Sequence, residues 1–209
     1  MVRDDLRQFL RAPADFARDV SEESKAAWLT GLEFAQKCLA ATGGALRDAQ
    51  EQGWRGIADH RAALVLGPPG TGKTFALSWM ALGFLEGCRA VNRPCRVFLT
   101  GFTKNSIANL LEAFQKRAKH AVGAVDLFWL GNVPGQGLPD EIQCIRAAQL
   151  KDALAGEYAV VGATGWSLFK AIGAARPPDA DGPTAPLFDL VCIDEASQMV
   201  VSQGLLSLI

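Results

Sequence analysis

At 209 residues, 49% hydrophobic and 21% charged, the chain has the composition of an ordinary globular protein with room for a sizeable core. Its longest apolar stretch, 75–85, is broken by Ser78 and Gly83 and is too short to span a bilayer, while residues 1–11 mix both signs of charge instead of forming a basic leader. A cytoplasmic location is therefore expected. The net charge of −1 excludes a global positive field for nucleic acid, yet leaves room for a local groove of amides and hydroxyls. The cysteines (Cys38, Cys88, Cys95, Cys144 and Cys192) are scattered and never spaced C-x-x-C, which points to buried, reduced thiols instead of a zinc site or disulfide framework.

In chain order, residues up to about Leu39 read as helical, with Trp28, Leu29, Leu32, Ala35, Gln36 and Leu39 at helical spacing and breaks at Pro13 and 42–44. A second helix is expected over 45–59. The period then changes. Short apolar runs at 62–66 (AALVL), 96–100 (RVFLT), 125–130 (VDLFWL), 158–162 (YAVVG) and 187–193 (LFDLVCI) predict buried parallel strands. Between them, Ile107, Leu110, Leu111 and Phe114 share one helical face, and Ile142, Ile145 and Leu150 predict a helix within 139–154. Surface loops are expected at 131–139 and 173–186. Strands alternating with helices imply an α/β fold with a mainly parallel sheet covered on both faces.

Residues 67–74 (GPPGTGKT) satisfy G-x-x-x-x-G-K-[ST] between a predicted strand and a predicted helix. Glycines at Gly67, Gly70 and Gly72 let backbone N–H groups turn inward around phosphate oxygens, and the helix N-terminus adds partial positive charge. Pro68, Pro69 and Thr71 complete the loop. Lys73 is expected to reach the β- and γ-phosphates of ATP and Thr74 to hold Mg²⁺. A structural strand–helix turn is the plainer alternative. A dinucleotide fold requires glycine at position 75, where Phe75 stands.

Asp194 and Glu195 directly follow the apolar run 190–193, at the carboxyl edge of the expected sheet, where ligands of open α/β folds bind. Asp194 suits Mg²⁺ and Glu195 suits orienting and deprotonating an attacking water. The plain alternative is that Asp194 or Ser197 caps a following helix. Thr100, Thr103, Lys104, Asn105 and Ser106 form a polar cluster between a strand end and a helix, able to donate to phosphates or simply to cap. The basic run Lys116, Arg117, Lys119 and His120 lies at an expected helix end, where it either contacts nucleic acid or, the plainer reading, complements the helix dipole and stays solvated. Of the five tryptophans, Trp79 and Trp129 sit in apolar elements and read as core, whereas Trp166 is the candidate for stacking on a base.

GPPGTGKT together with 194–198 (DEASQ) resembles the superfamily 1 helicases of the nonsense-mediated-decay and Okazaki-fragment-processing type. Three further segments are similar to that family: Leu46 with Gln50 upstream of the loop, 99–111 (LTGFTKNSIANLL), and 160–164 (VVGAT). Arg47 and Ala108 stand where the family has asparagine and aspartate. The resemblance implies that Gln50 reads the adenine edge and that Gln198 joins Lys73, Asp194 and Glu195 in catalysis. It also implies that Thr100, Thr103, Asn105, Ser106, Asn109 and Thr164 lie along single-stranded DNA or RNA.

On this resemblance the expected organisation is a helical segment over 1–44 and a partial RecA-like P-loop ATPase domain, a three-layer sandwich, over 45–209. Helicases of this family continue with a GD-x-x-Q-L strand and a second RecA-like domain supplying arginine fingers, so the resemblance implies a piece of a motor. Such a piece is expected to bind nucleotide, to hydrolyse it weakly at most, and to leave an empty slot between strands at 62–66 and 190–193. The competing functions are an AAA-type or other P-loop remodeller, and a nucleotide-binding interaction module without turnover.

Overall fold

The computed structural model describes residues 12, 15, 17, 20–68, 70–175 and 186–199, and the chain divides into two compact units. The first comprises residues 1–93 with 120–122, the second 94–119 with 123–209.

The first unit is helical. Helix α1 (Glu22–Ala41) begins where the Ser21 hydroxyl accepts the Ser24 N–H, with Glu22 and Glu23 favourably placed at the positive end of the helix dipole. It ends at Thr42, and Gly43 in the left-handed region reverses the chain. Helix α2 (Asp48–Ala58) follows, then α3 (Lys73–Ala90), which is buried nearly all round from Ala76 to Cys88. Such a helix is apolar on nearly every side, as its sequence is apart from Ser78 and Glu86.

Helices α1 and α3 meet at backbone distance. A Cβ on Gly31 would lie 2.2 Å from the Gly83 carbonyl oxygen, and one on Gly87 would lie 1.9 Å from that of Ala27. Only glycine permits this approach. Trp54 of α2 fills the flank of the crossing, where its indole N–H donates to the Trp28 carbonyl at 3.0 Å. Glu86 is buried and held by Arg89 at 3.1 Å, with the Val122 N–H donating to its second oxygen at 3.4 Å. Trp79 is core, as expected, with its ring 5.6 Å from that of His120.

The second unit is α/β. A five-stranded parallel sheet is ordered β3-β2-β4-β1-β5, from β1 (Cys95–Gly101), β2 (Asp126–Leu130), β3 (Gln143–Ile145), β4 (Tyr158–Gly162) and β5 (Leu190–Asp194). β4 lies between β2 and β1, with Val97 opposite Val160 and Leu127 opposite the same residue on the other side. Helix α4 (Lys104–Ala118) buries Ile107, Leu110, Leu111 and Phe114, the face read from the sequence. It covers the sheet face carrying Gly101 and Gly162, where added Cβ atoms would meet Ser106 and Leu111. The opposite face carries Phe98, Val161 and Ala163, packed with Leu168 and Ala171 of α6 (Gly165–Ala175). Helices on both faces explain why these strands are almost continuously apolar.

Two expectations are corrected. The run 62–66 forms no strand: it has no ladder partner among the described residues, and Leu64 and Leu66 are 72% and 82% exposed. A β-strand exists only through its neighbours' backbone groups, and all five strands of the sheet lie within residues 95–194. Among the described residues no pair of strands therefore flanks a slot, and β5 is an edge of the sheet. The helix expected over 139–154 is instead β3, a 3₁₀ turn (Ala147–Gln149) and the single-turn helix α5 (Leu150–Ala153). Gln143–Ile145 satisfy their backbone by pairing with β2, and the Gln149 side chain accepts the Arg146 N–H at 2.9 Å to start the new turn. Ile142, Ile145 and Leu150 are buried, but through a strand and a turn. The 131–139 loop is irregular as expected, while most of the loop expected over 173–186 lies outside the described residues. Cys88, Cys95 and Cys192 are buried, whereas Cys144 is exposed on the edge strand β3. No helix among the described residues is long and apolar enough to cross a membrane.

Candidate phosphate loop and strand-end cluster

In the first unit, the residues of the GPPGTGKT segment lead directly into α3. Gly70 (φ +78°) and Gly72 (φ +80°) occupy the left-handed region, which residues with a side chain adopt only at a cost, and Gly72 is the N-cap of the helix. The loop closes on itself: the Thr71 hydroxyl donates to the Pro68 carbonyl at 2.8 Å. Lys73 donates to the carbonyls of Gly67 at 2.7 Å and Pro68 at 3.0 Å, so its ammonium spans the open end of the loop. Gly67 and Pro68 are exposed, Thr74 lies in the first turn of α3, and Pro69 falls outside the described residues.

Gln50 comes to this loop from α2. Its side-chain oxygen accepts the Arg47 N–H at 3.0 Å, and its amide nitrogen points at the carbonyls of Thr71 and Gly72, 3.5 Å from each. A Cβ at Gly72 would sit 3.2 Å from that nitrogen. Residues far apart in sequence are thus gathered around one helix N-terminus. A cationic side chain, two left-handed glycines and a helix dipole together suit an oligophosphate.

In the second unit, three strand ends carry the remaining candidates. After β1, Thr103 caps α4 by accepting the Ser106 N–H at 3.0 Å, and the Ser106 hydroxyl donates back to the Thr103 carbonyl at 2.9 Å. These two hydroxyls are engaged in capping, the plainer of the two roles read for them. Asn105 and Asn109 are exposed on the same helix, and Thr100 is buried in β1 with no hydrogen-bond partner for its hydroxyl among the described residues. After β4, the Thr164 hydroxyl accepts the Ser167 N–H at 3.1 Å and caps α6.

After β5, the buried Asp194 accepts the Glu195 N–H at 2.9 Å. Glu195 is exposed and left-handed (φ 54°, ψ 35°), a conformation uncommon for a side-chain-bearing residue and often found where function requires it. A 3₁₀ turn (Ala196–Gln198) follows and leaves Gln198 exposed. Asp194 is the register partner of Gly101, and a Cβ there would come 3.0 Å from the Asp194 carbonyl oxygen. Beneath the pair, burial, and then the Asp194 charge, push the Cys192 thiol up to about 12.

Among the described residues, no group of three or more His, Cys, Asp or Glu side chains is arranged to hold a metal by itself. A Mg²⁺ bound with a nucleotide takes few protein ligands and relies on phosphate oxygens and waters.

Two residues escaped the sequence reading. Phe169 and Lys170 stand three and four positions after Trp166 on α6 and share its exposed face, a neighbourhood that helical spacing alone identifies. Compared with protein-family models, with curated proteins and with solved structures, the chain matches none.

Proposed function

We propose that the chain is an ATP-binding part of a nucleic-acid motor of the helicase type. The observation that carries this reading is the loop before α3, in which left-handed Gly70 and Gly72 open a helix N-terminus while Lys73 and Gln50 converge on the loop's backbone. In this reading the loop amides and Lys73 bind the β- and γ-phosphates, and Thr74 supplies a hydroxyl to Mg²⁺. When bound, Mg²⁺ neutralises charge on the phosphate oxygens. The acidic pair Asp194–Glu195 keeps the metal and water roles that its sequence pattern gives it, with Gln198 beside it. The polar residues that follow β1 and β4, the exposed Asn105 and Asn109 and the half-buried Thr164, are assigned to a single strand of DNA or RNA.

Equilibrium titration of the chain with a fluorescent ATP analogue, with and without Mg²⁺, tests the first half of the proposal. Saturable, Mg²⁺-enhanced binding that unlabelled ATP displaces is the expected result, and no binding overturns it. Anisotropy of a labelled single-stranded oligonucleotide tests the second half. Nucleotide binding without strand binding would favour a P-loop ATPase of another kind.

A further inference from the structure

Trp166 differs from every other tryptophan of the chain. Trp28, Trp54, Trp79 and Trp129 are buried, whereas Trp166 is 55% exposed. It lies in the first turn of α6, whose inner face, Leu168 and Ala171, is committed to the core. Its outer face presents Phe169, 42% exposed, with the two rings nearly parallel at 20° and their centroids 5.7 Å apart. The Lys170 ammonium lies 5.2 Å from the indole centroid. A stacked aromatic pair left facing solvent is not explained by folding, because burying the same rings would stabilise the protein.

The chemistry of the surroundings selects an occupant. Helix α6 carries no carboxylate, its cation stands at the rings, and the Thr164 and Ser167 hydroxyls lie at the same end, 2.9 Å apart. A flat π-surface beside a positive charge and hydroxyls complements a nucleobase attached to a phosphodiester. The exposed cation–π contact of Lys170 is weaker than base–aromatic stacking, so a base can displace the ammonium, which is then free to turn to phosphate.

We propose that Trp166 and Phe169 form a platform on which a base of single-stranded nucleic acid stacks, with Lys170 pairing to its phosphate. This deepens the motor reading above and rests on it. The platform reads no base edge, so it is indifferent to sequence.

Because Trp166 is the exposed tryptophan, its emission can be separated from that of the other four by acrylamide quenching. The whole chain is titrated with oligo(dT) and oligo(U), and with phosphatidylserine vesicles as a comparison. The expected result is loss of the acrylamide-accessible emission on adding either oligonucleotide. Trp166→Ala is expected to weaken binding, read by anisotropy of the labelled strand, on the order of tenfold or more, while Trp166→Phe keeps most of it. Lys170→Gln is expected to reduce the salt dependence of binding by about one phosphate contact. Strand binding that leaves Trp166 emission and the Trp166→Ala affinity unchanged overturns the platform and spares the motor reading. Failure of the wild-type chain to bind any oligonucleotide overturns both. A blue shift with vesicles and none with oligonucleotides overturns the proposal in favour of a lipid surface.

Discussion

Lys73 turns its ammonium back to the Gly67 carbonyl, 2.7 Å away, so that the last part of the loop grips the first. The side chain thereby stands at the open end of the loop before α3, where a bound phosphate is expected to compete with two carbonyls for its protons. Lys73→Ala removes both the grip and the charge. A hydrogen bond to a charged group contributes about 1.5–3 kcal/mol, so nucleotide affinity is expected to fall roughly tenfold to a hundredfold or more. Glu195→Gln, placed on an exposed turn outside the loop, is expected to bind nucleotide as the wild type does. Equal losses in both variants, measured by the same titration, would contradict these roles.

The close approach of Gly101 to Asp194 makes Gly101→Ala a sharp test of the strand-end geometry. The new Cβ would sit 2.9 Å from the Ser106 hydroxyl and 3.0 Å from the Asp194 backbone oxygen. Overpacking of this kind costs about 1–3 kcal/mol. Adding Ser106→Ala is expected to restore only part of the loss, because the contact with the Asp194 backbone remains. Full recovery in the double variant, measured by chemical denaturation, would show that β5 yields easily.

Thr103→Ala is expected to cost about 1 kcal/mol by removing the acceptor for the Ser106 N–H at the start of α4. The same experiment separates the two readings of this cluster. If strand affinity falls by no more than the helix frays, as followed by circular dichroism, capping is the whole role of Thr103.

Cys192 gives the protein an alkaline weakness. Burial and the Asp194 charge raise its thiol from 9.0 to about 12 in the folded state. The folded protein therefore keeps the proton while the unfolded chain releases it. The associated stability is complete below the unfolded value and is lost as pH rises from about 9 towards about 12. Denaturation midpoints of wild type and Cys192→Ala are expected to converge over that window. A constant difference between them would show that the thiol does not titrate on unfolding. A thiol reagent at mildly alkaline pH is expected to modify Cys144, which is exposed, well before Cys192.

Much of this architecture is legible from residue order. Runs such as 96–100 and 158–162 announce buried parallel strands because both faces of such a strand must be apolar. The α4 face was equally plain in Ile107, Leu110, Leu111 and Phe114, and the start of α3 at Lys73 followed from the glycines before it. What sequence conceals is partnership. The run 62–66 has a strand's composition, but composition supplies no neighbour, and the segment stays out of the sheet. Burial of Ile142, Ile145 and Leu150 was predicted correctly and its helical geometry was not, because a short strand followed by a turn buries the same residues. At the loop, Gln50 was picked out by resemblance, and its place beside Thr71 and Gly72 needed three dimensions. The left-handed backbone of Glu195 has no signature in residue type at all.

The glycine crossing of α1 and α3 has a mechanical consequence. Side chains between helices act as cushions, since rotamers can shift to absorb a displacement, but Gly31, Gly83 and Gly87 put main chain against main chain with no such give. Helix α3 is thus a stiff strut clamped along its shaft, with the glycine-rich loop that ends at Gly72 mounted on its tip. A push on that tip is passed along the shaft to α1 as rigid displacement, instead of dissipating in local repacking. Position at the loop is therefore set by atoms on two helix backbones well away from it, and a single methyl group added at Gly87 would knock the mounting out of true.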